Sequence, residues 1–480
     1  MSSVGALCDL GSTYTKVAFV DLQNGELVSW AKSPTTVETD ITEGLSLALN
    51  EAATSGEVSL SSVSFRKACS SAGGGLGIVA VGLVPDLTGE AAKRAALGAG
   101  AKVLETYSYE LTDDDIDSIE ELAPDIILLC GGTDGGETTT IIGNARVLAN
   151  SQCPAPILVA GNRTVAGEVR MILESAGKIC YVTENVLPAL DYLNVDPVRG
   201  VIRSIFLQQI VVARGLDRAE ELIGEVVMPT PRAVLGALEA WAGLRSIGDS
   251  RKGGFIDVRR PTLAVDVGGA TTDVYSVGRG LPSSDAIVKG MPEPISKRTV
   301  EGDLGVRYSA ETLVDAMRAE DYLGLLGGGL GTKNPISLKH IERYLRSLRE
   351  HPATLPASET EKEVDVLLAS YAAATSLKRH AGRLDVEYTA AGRVNLIRGK
   401  DLRAFRSVIG TGGPIISGDG GRILAHANQV AAKFGALVPE SPAVWVDQDY
   451  VLFAAGLLAE EHAEIAKMLL EKSLMQVSLG

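Results

Sequence analysis

The chain has 480 residues, enough for about three domains at ~150 residues each. It is 45% hydrophobic and 22% charged, a balance that supports a sizeable core, and its 53 glycines with 5% aromatics favour an α/β chain with many tight turns. Lys and Arg number 45 against 60 Asp and Glu, a net charge of −15, which argues against nucleic acid as the main partner because phosphate backbones recruit basic patches.

In chain order, residues 5–10 (GALCDL) read as a buried strand ending in a GST turn. Residues 15–21 and 26–31 follow as two strands joined by an Asn24-Gly25 hairpin turn. A helix is predicted at about 41–54, with Asp40 and Glu43 at capping-box spacing. Residues 66–185 then repeat a strand–helix rhythm. Strands are predicted at 78–84, 101–105, 125–130, 156–160 and 178–182, and helices at 88–98, 113–122, 137–149 and 163–176. That rhythm implies a parallel sheet covered by helices. Residues 190–250 read as mostly helical with a turn at 228–232. A second strand-rich start appears at 261–278, and 308–385 reads as charged helix interrupted by the glycines of 327–331. Strands return at 404–410 and 443–447, and one long helix is expected from about 448 to 473.

Residues 5–31 and 261–288 share a plan: an apolar strand ending in Asp, a small apolar residue, Gly and a polar turn, then a return strand. This is one motif used twice, and it suggests two related half-domains facing a cleft. In the first copy, DLGSTYTK (9–16), the strand delivers Asp9 to its carboxyl end and Gly11 permits a tight turn. Ser12 and Thr13 can then offer amides and hydroxyls to phosphate oxygens, and Lys16 on the return strand is within reach of a phosphate. In the second, DVGGATTD (266–273), Gly268 and Gly269 allow close backbone approach and Thr271 adds a hydroxyl. Asp9 and Asp266 could hold a hydrated magnesium ion, which takes one or two carboxylates and keeps several waters. Alone, DLGS is equally well a turn that ends a strand; two such turns 257 residues apart make the phosphate reading the better one. A third element, IGTGG (409–413), follows an apolar strand. Gly410, Thr411, Gly412 and Gly413 there could present a flat surface for an adenine ring. Under that ring neither Gly412 nor Gly413 should have room for a side chain, and Gly412→Val should spare the fold.

In this order DLGSTYTK, DVGGATTD and IGTGG resemble the phosphate-one, phosphate-two and adenosine motifs of the actin-like ATPases. The resemblance implies duplicated ribonuclease-H-like domains around a nucleotide cleft, Mg-ATP as ligand, and Lys16 as a phosphate-contacting lysine. A narrower resemblance covers nearly the whole chain, through 70–103, 125–137, MPTPRAVLGA (228–237), RTVEGDLGVR (298–307) and VDQDYVLFAAGLLA (446–459). These are similar to the glutamate mutase accessory proteins of the MutL/GlmL type, a family unrelated to the mismatch-repair protein of that name. It implies an ATP-driven reactivating chaperone whose partner is an adenosylcobalamin-dependent mutase, from which it helps release damaged cobalamin. The implied division is 1–65 as the start of actin-like domain I, 66–190 as an additional α/β segment, 191–260 as a mostly helical connector and 261–480 as domain II.

Other features have plain readings beside the functional ones. The loop 131–137 (GGTDGGE) lies where ligands bind on parallel sheets, and can equally be a simple chain reversal. The 66–185 segment resembles cobalamin-binding domains in plan but has no Asp-x-His-x-x-Gly; the five histidines (340, 351, 380, 426, 462) lie outside it, so a docking surface for the mutase is the better expectation. Asp303 can line the cleft or be a turn carboxylate, and Asp447 can be a hinge or a helix cap. The amino terminus has no basic start of a signal peptide, and the longest apolar run, 450–459, is too short to span a bilayer. Five cysteines (8, 69, 130, 153, 180) form no CxxC and fit reduced thiols. A cytoplasmic protein with no membrane partner is expected. Two further classes share the scaffold: a small-molecule kinase, which needs an acceptor pocket with a carboxylate base, and a filament-forming ATPase, which needs subunit-contact loops.

Overall fold

The computed structural model describes all residues except 1–3, 12, 37–39, 72–75, 211–221, 248–254, 281–285, 321, 323–337, 352–353, 390–391 and 478–480. Ser12 and the glycine-rich 327–331 therefore lie outside the described residues. The chain forms two compact units, one of residues Met1–Ala237 with Leu452–Lys472, the other of Leu238–Val451 with Ser473–Gly480.

The first unit begins with β1 (Val4–Leu10), β2 (Tyr14–Asp21) and β3 (Leu27–Pro34), an antiparallel meander, followed by helix Ile41–Ser55 and β4 (Val63–Ser70). All seven residues of β1 are buried, the pattern of a central strand covered on both faces. At the β2–β3 turn Gly25 has φ 67° and lies against Ile465 and Met468, so both its backbone angle and its surroundings require glycine. Asp40 caps the helix, but by accepting from the Thr42 amide (2.9 Å) and hydroxyl rather than through a box with Glu43.

After β4 the chain makes a second sheet from β5 (Gly77–Gly82), β6 (Lys102–Ser108), β7 (Ile126–Leu129), β8 (Ile157–Val159) and β9 (Cys180–Val182). Its order is β6-β5-β7-β8-β9 and every pairing is parallel, as the strand–helix rhythm predicts. The buried faces of the helices Asp113–Leu122, Thr139–Asn150 and Ala166–Ser175 supply Ile119, Ile141, Ala145, Leu148, Val169 and Leu173 to its core. The chain then returns to the first sheet as β10 (Glu225–Pro229), giving the order β10-β4-β1-β2-β3 with β4 and β10 parallel to β1. The mostly helical reading of this stretch misses β10, and the expected turn at 228–232 is the junction of β10 with helix Thr230–Trp241.

The second unit opens with the ribbon β11 (Arg245–Ile247) and β12 (Phe255–Asp257), then builds β13 (Thr262–Val267), β14 (Thr272–Val277), β15 (Ala286–Val288) and β16 (Ser296–Glu301). Helices Ala310–Ala319, Leu338–Glu350 and Glu359–His380 follow, then β17 (Arg383–Thr389), β18 (Gly392–Arg398), β19 (Ser407–Thr411), β20 (Ala443–Val446) and β21 (Met475–Val477). The main sheet runs β16-β14-β13-β19-β20-β21, while β15-β18-β17 form a small sheet that the sequence reading missed. Antiparallel β13–β14–β16 flanked by parallel β19 and β20 reproduces the order and sense of the first unit strand for strand. The two copies differ in where they carry most of their extra chain, between the fourth and fifth strands in the first and between the third and fourth in the second, and the second adds β21 as a sixth strand beside β20. The long closing helix is in fact two, Leu452–Ala459 and Ala463–Ser473, the first of them so close to helix Thr230–Trp241 that a Cβ at Gly456 would strike the Ala233 carbonyl.

His380 ends the 22-residue helix Glu359–His380 and is fully buried between the Ser276 and Thr299 hydroxyls, at 2.8 and 2.9 Å. Burial first, then the nearby Lys297 and Lys400, hold its pKa well below the usual value. Folded His380 stays neutral where the unfolded chain takes up a proton, so stability is intact above about pH 6.5 and falls as pH drops below it, by up to about 1.4 kcal/mol per pH unit for one proton. Denaturant unfolding at pH 7.5 and 5.5 should show this loss in the parent and a smaller loss in His380→Gln. Equal losses in both would remove His380 as the source.

Candidate functional site

Asp9 is the next-to-last residue of β1 and Asp266 the next-to-last of β13, so the repeat places both carboxylates at the carboxyl end of the first strand of their sheets. Two residues on, glycine is required in each copy. A Cβ on Gly11 would sit 2.5 Å from the Tyr14 carbonyl oxygen, and one on Gly268 2.9 Å from that of Thr271. Gly268 also takes a backbone bond from its own amide to the Thr271 carbonyl at 2.9 Å.

The two sites differ at the return strand. Asp9 faces Lys16 across β1–β2, and the Lys16 Nζ donates to Asp9 Oδ2 at 2.8 Å. The equivalent partner of Asp266 is Asp273, whose charge is taken by Arg298 from β16 at 2.7 Å. Asp9 is only 2% exposed, and its other oxygen accepts the Thr230 hydroxyl at 2.6 Å. Thr230 follows the fifth strand of the first sheet. Asp447 follows the fifth strand of the second, is equally buried, and accepts the Thr411 hydroxyl at 3.0 Å and the Val451 amide at 2.7 Å. Thr230 and Asp447 were not among the predicted site residues. Their common signal is a polar residue between a short apolar strand and a helix rich in small residues, seen in MPTPRAVLGA and VDQDYVLFAAGLLA.

The second turn is held from below by the EGDLGVR segment. Val306 donates its amide to the Gly268 carbonyl at 3.1 Å, and Arg307 and Tyr308 donate theirs to Gly269 at 2.9 and 3.1 Å. Arg307 lies against Gly269 and extends a bidentate pair to Asp365 at 2.7 and 3.2 Å, which Tyr344 Oη joins at 2.9 Å. Thr271 Oγ1 donates to Asp273 at 3.2 Å, and Thr13 is exposed at the first turn. Asp303 is a turn carboxylate: the hydrogen bonds from Arg379, at 3.0 and 3.2 Å, lower its pKa.

The third motif is corrected in one respect. Gly412, with φ 93°, is crowded by protein: a Cβ would strike the Val267 carbonyl oxygen and lie 2.7 Å from Asp266 Oδ1. Gly410 packs against Ile415 and Leu424, and Thr411 is buried on Asp447. Gly413 alone opens outward, with only Tyr450 Oη, at 4.0 Å, near its Cβ position. Gly412 is thus fixed by the fold, and Gly413 is where a side chain could be added. Among the described residues no cluster of three or more His, Cys, Asp or Glu could hold a metal, and no helix is long and apolar enough to cross a membrane. All five cysteines are unpaired, and burial pushes the Cys8, Cys69 and Cys130 thiols up.

One five-strand order used twice, each copy with an Asp-x-Gly turn after its first strand, defines a duplicated α/β fold of the ribonuclease-H-like plan. Within that class the chain belongs to the MutL protein family, whose model matches residues 6–474. Protein MutL of Clostridium tetanomorphum is 42% identical over 478 residues, 98% of this chain and 99% of that protein. Among solved structures, a glycerol dehydratase reactivase is similar at TM-score 0.36 and 10% identity, over 96% of this chain and 100% of that one. The activator of the 2-hydroxyisocaproyl-CoA dehydratase from Clostridium difficile with bound ADPNP is similar at TM-score 0.31 and 10% identity, over 100% of each chain.

Proposed function

We propose that this chain is a Mg-ATP-dependent reactivating chaperone for an adenosylcobalamin-dependent mutase of the glutamate mutase type. The observation that carries the nucleotide part is the repeated carboxylate and glycine turn on two sheets of one order. Gly11, Ser12, Thr13 and Lys16 of the first unit, with Gly268, Gly269 and Thr271 of the second, are the phosphate ligands in this reading. Lys16, now on Asp9, can exchange that carboxylate for a phosphate oxygen. Gly410, Thr411, Gly412 and Gly413 form the adenosine turn, with the open face of Gly413 receiving the base. Asp9 and Asp266 are single carboxylates, the donor number that suits hydrated magnesium. Magnesium would neutralise charge on the phosphate oxygens. The protein's part in hydrolysis is then positioning and electrostatics, with Asp9 or Asp266 orienting water.

Family membership supports the mutase as client and the cytoplasm as the place of action. The parallel sheet β5–β9 and its helices are the docking surface in this proposal, the loop 131–137 being held rigid by two buried amides. Asn162 donates to the Gly136 and Glu137 carbonyls at 3.2 and 3.1 Å, and Asn185 to the Gly132 carbonyl at 3.0 Å.

The test mixes the chain with a glutamate-mutase-type enzyme loaded with hydroxocobalamin, with and without Mg-ATP. Cobalamin release should require both chain and ATP, and hydrogen exchange should show protection at 131–137 or on helices within 88–176. With Mg-ATP alone the chain should hydrolyse slowly, form no polymer and need no acceptor. Acceptor-dependent phosphoryl transfer would establish the kinase reading instead, and release without ATP would overturn the chaperone cycle.

A further inference from the structure

Resting on the nucleotide reading above, we infer that Tyr450 flanks the base of the bound nucleotide, its ring stacking on the purine laid over Gly413. Three observations carry this, all within the second unit. Tyr450 has φ 51°, a left-handed backbone that a bulky aromatic rarely adopts and that costs energy wherever it occurs. Such strain persists only where the surrounding structure fixes it, and here one buried carboxylate does so. Asp447 accepts the Val451 amide at 2.7 Å through Oδ1 and the Thr411 hydroxyl at 3.0 Å through Oδ2, while its carbonyl takes the Tyr450 amide at 3.3 Å. The turn bearing Tyr450 is thereby tied to the last residue of β19, next to the glycine pair.

The second observation is direction. The Cβ vector of Gly412 points into the protein, toward Val267 and Asp266, whereas that of Gly413 points outward. The third is what stands beside that outward face: among the described residues beyond its own helix and chain neighbours, Tyr450 Oη is the one atom within 4 Å of the Gly413 Cβ position, and Tyr450 is partly exposed. A planar ring that rests on Gly413 and extends past it therefore lies against the Tyr450 side chain. Aromatic stacking on a base is indifferent to which base it is, because every base offers a π-face. Tyr450 therefore supplies affinity for the base without choosing adenine over guanine.

The experiment uses the full chain and three probes: Mg-ATP, Mg-GTP and Mg-tripolyphosphate, each titrated calorimetrically. Tyr450→Asn is the main variant because asparagine accepts the left-handed backbone. It should keep or raise the thermal midpoint, weaken ATP and GTP each by about tenfold or more, and leave tripolyphosphate affinity unchanged. Tyr450→Phe should bind both nucleotides within about twofold of the parent, since it keeps the π-face that stacking uses. ATP binding by Tyr450→Asn equal to the parent's overturns the role of Tyr450 and leaves the nucleotide site standing. Equal weakening of ATP and tripolyphosphate also overturns it, since that marks a disturbed fold. Failure of the parent chain to bind ATP overturns the nucleotide reading itself, and Tyr450 with it.

Discussion

Asp9→Asn should lower steady-state ATPase activity by at least about 100-fold, the scale of losing one strong transition-state electrostatic contact. Asp266→Asn should do the same. The environments of the two residues then separate their other effects. Asp9 is buried, with Lys16 on one oxygen and Thr230 on the other. Asparagine can keep the Thr230 bond but turns a neutral group toward the Lys16 ammonium. The stability cost should lie toward the lower end of the roughly 3–5 kcal/mol expected for stranding one partner of a buried pair, because Lys16 keeps 20% of its side chain in water. A double variant, Asp9→Asn with Lys16→Met, should regain much of that stability and none of the activity, which separates chemistry from folding. Denaturant unfolding and phosphate release measured on the same preparations check both halves. Parent-like hydrolysis by both single carboxamide variants would show that these turns are not the ATPase site.

Gly412→Val and Gly413→Val should differ sharply, although the residues are adjacent. At Gly412 the φ of 93° excludes a β-branched residue and the Val267 carbonyl fills the space, so the loss should be roughly 3 kcal/mol or more, enough to leave little folded second unit. At Gly413 the side chain enters open space beside Tyr450, so circular dichroism should be unchanged. If the base rests there, the apparent ATP dissociation constant should rise at least about tenfold, since a ring cannot keep its contacts across two inserted methyls. Folded Gly413→Val protein with parent affinity would take IGTGG out of the nucleotide site. A folded and stable Gly412→Val would contradict the packing at the carboxyl ends of β13 and β19.

The sequence by itself determined the repeated hairpins and the parallel sheet. The central strands of both, β1, β14, β5, β7 and β8, are buried on two faces, and such strands read as unbroken apolar runs closed by glycine turns. GALCDL and TLAVDV could be paired without coordinates because each ends in Asp, one apolar residue and Gly. The glycines were legible for the same local reason: a turn that folds a carbonyl back on its own Cβ position admits nothing else, as at Gly11 and Gly268. Elements too short, or too exposed, to carry a pattern of their own were not legible. β10 is five residues ending in Pro229, a segment too short for periodicity to separate strand from helix; only pairing with β4, more than 150 residues away, makes it a strand. In β17 the row Leu384, Val386 and Tyr388 alternates as a strand should, yet its apolar side is exposed, so no buried face announced it beside a charged helix. The roles of Thr230 and Asp447 were likewise decided in three dimensions. Their bonds to Asp9 and Thr411 span 221 and 36 residues, and a side-chain hydrogen bond leaves no periodic trace in sequence. Local backbone and burial preferences act over a few residues and are written in order along the chain. Which strand closes a sheet, and which hydroxyl meets which carboxylate, depends on contacts that exist only once distant segments have packed.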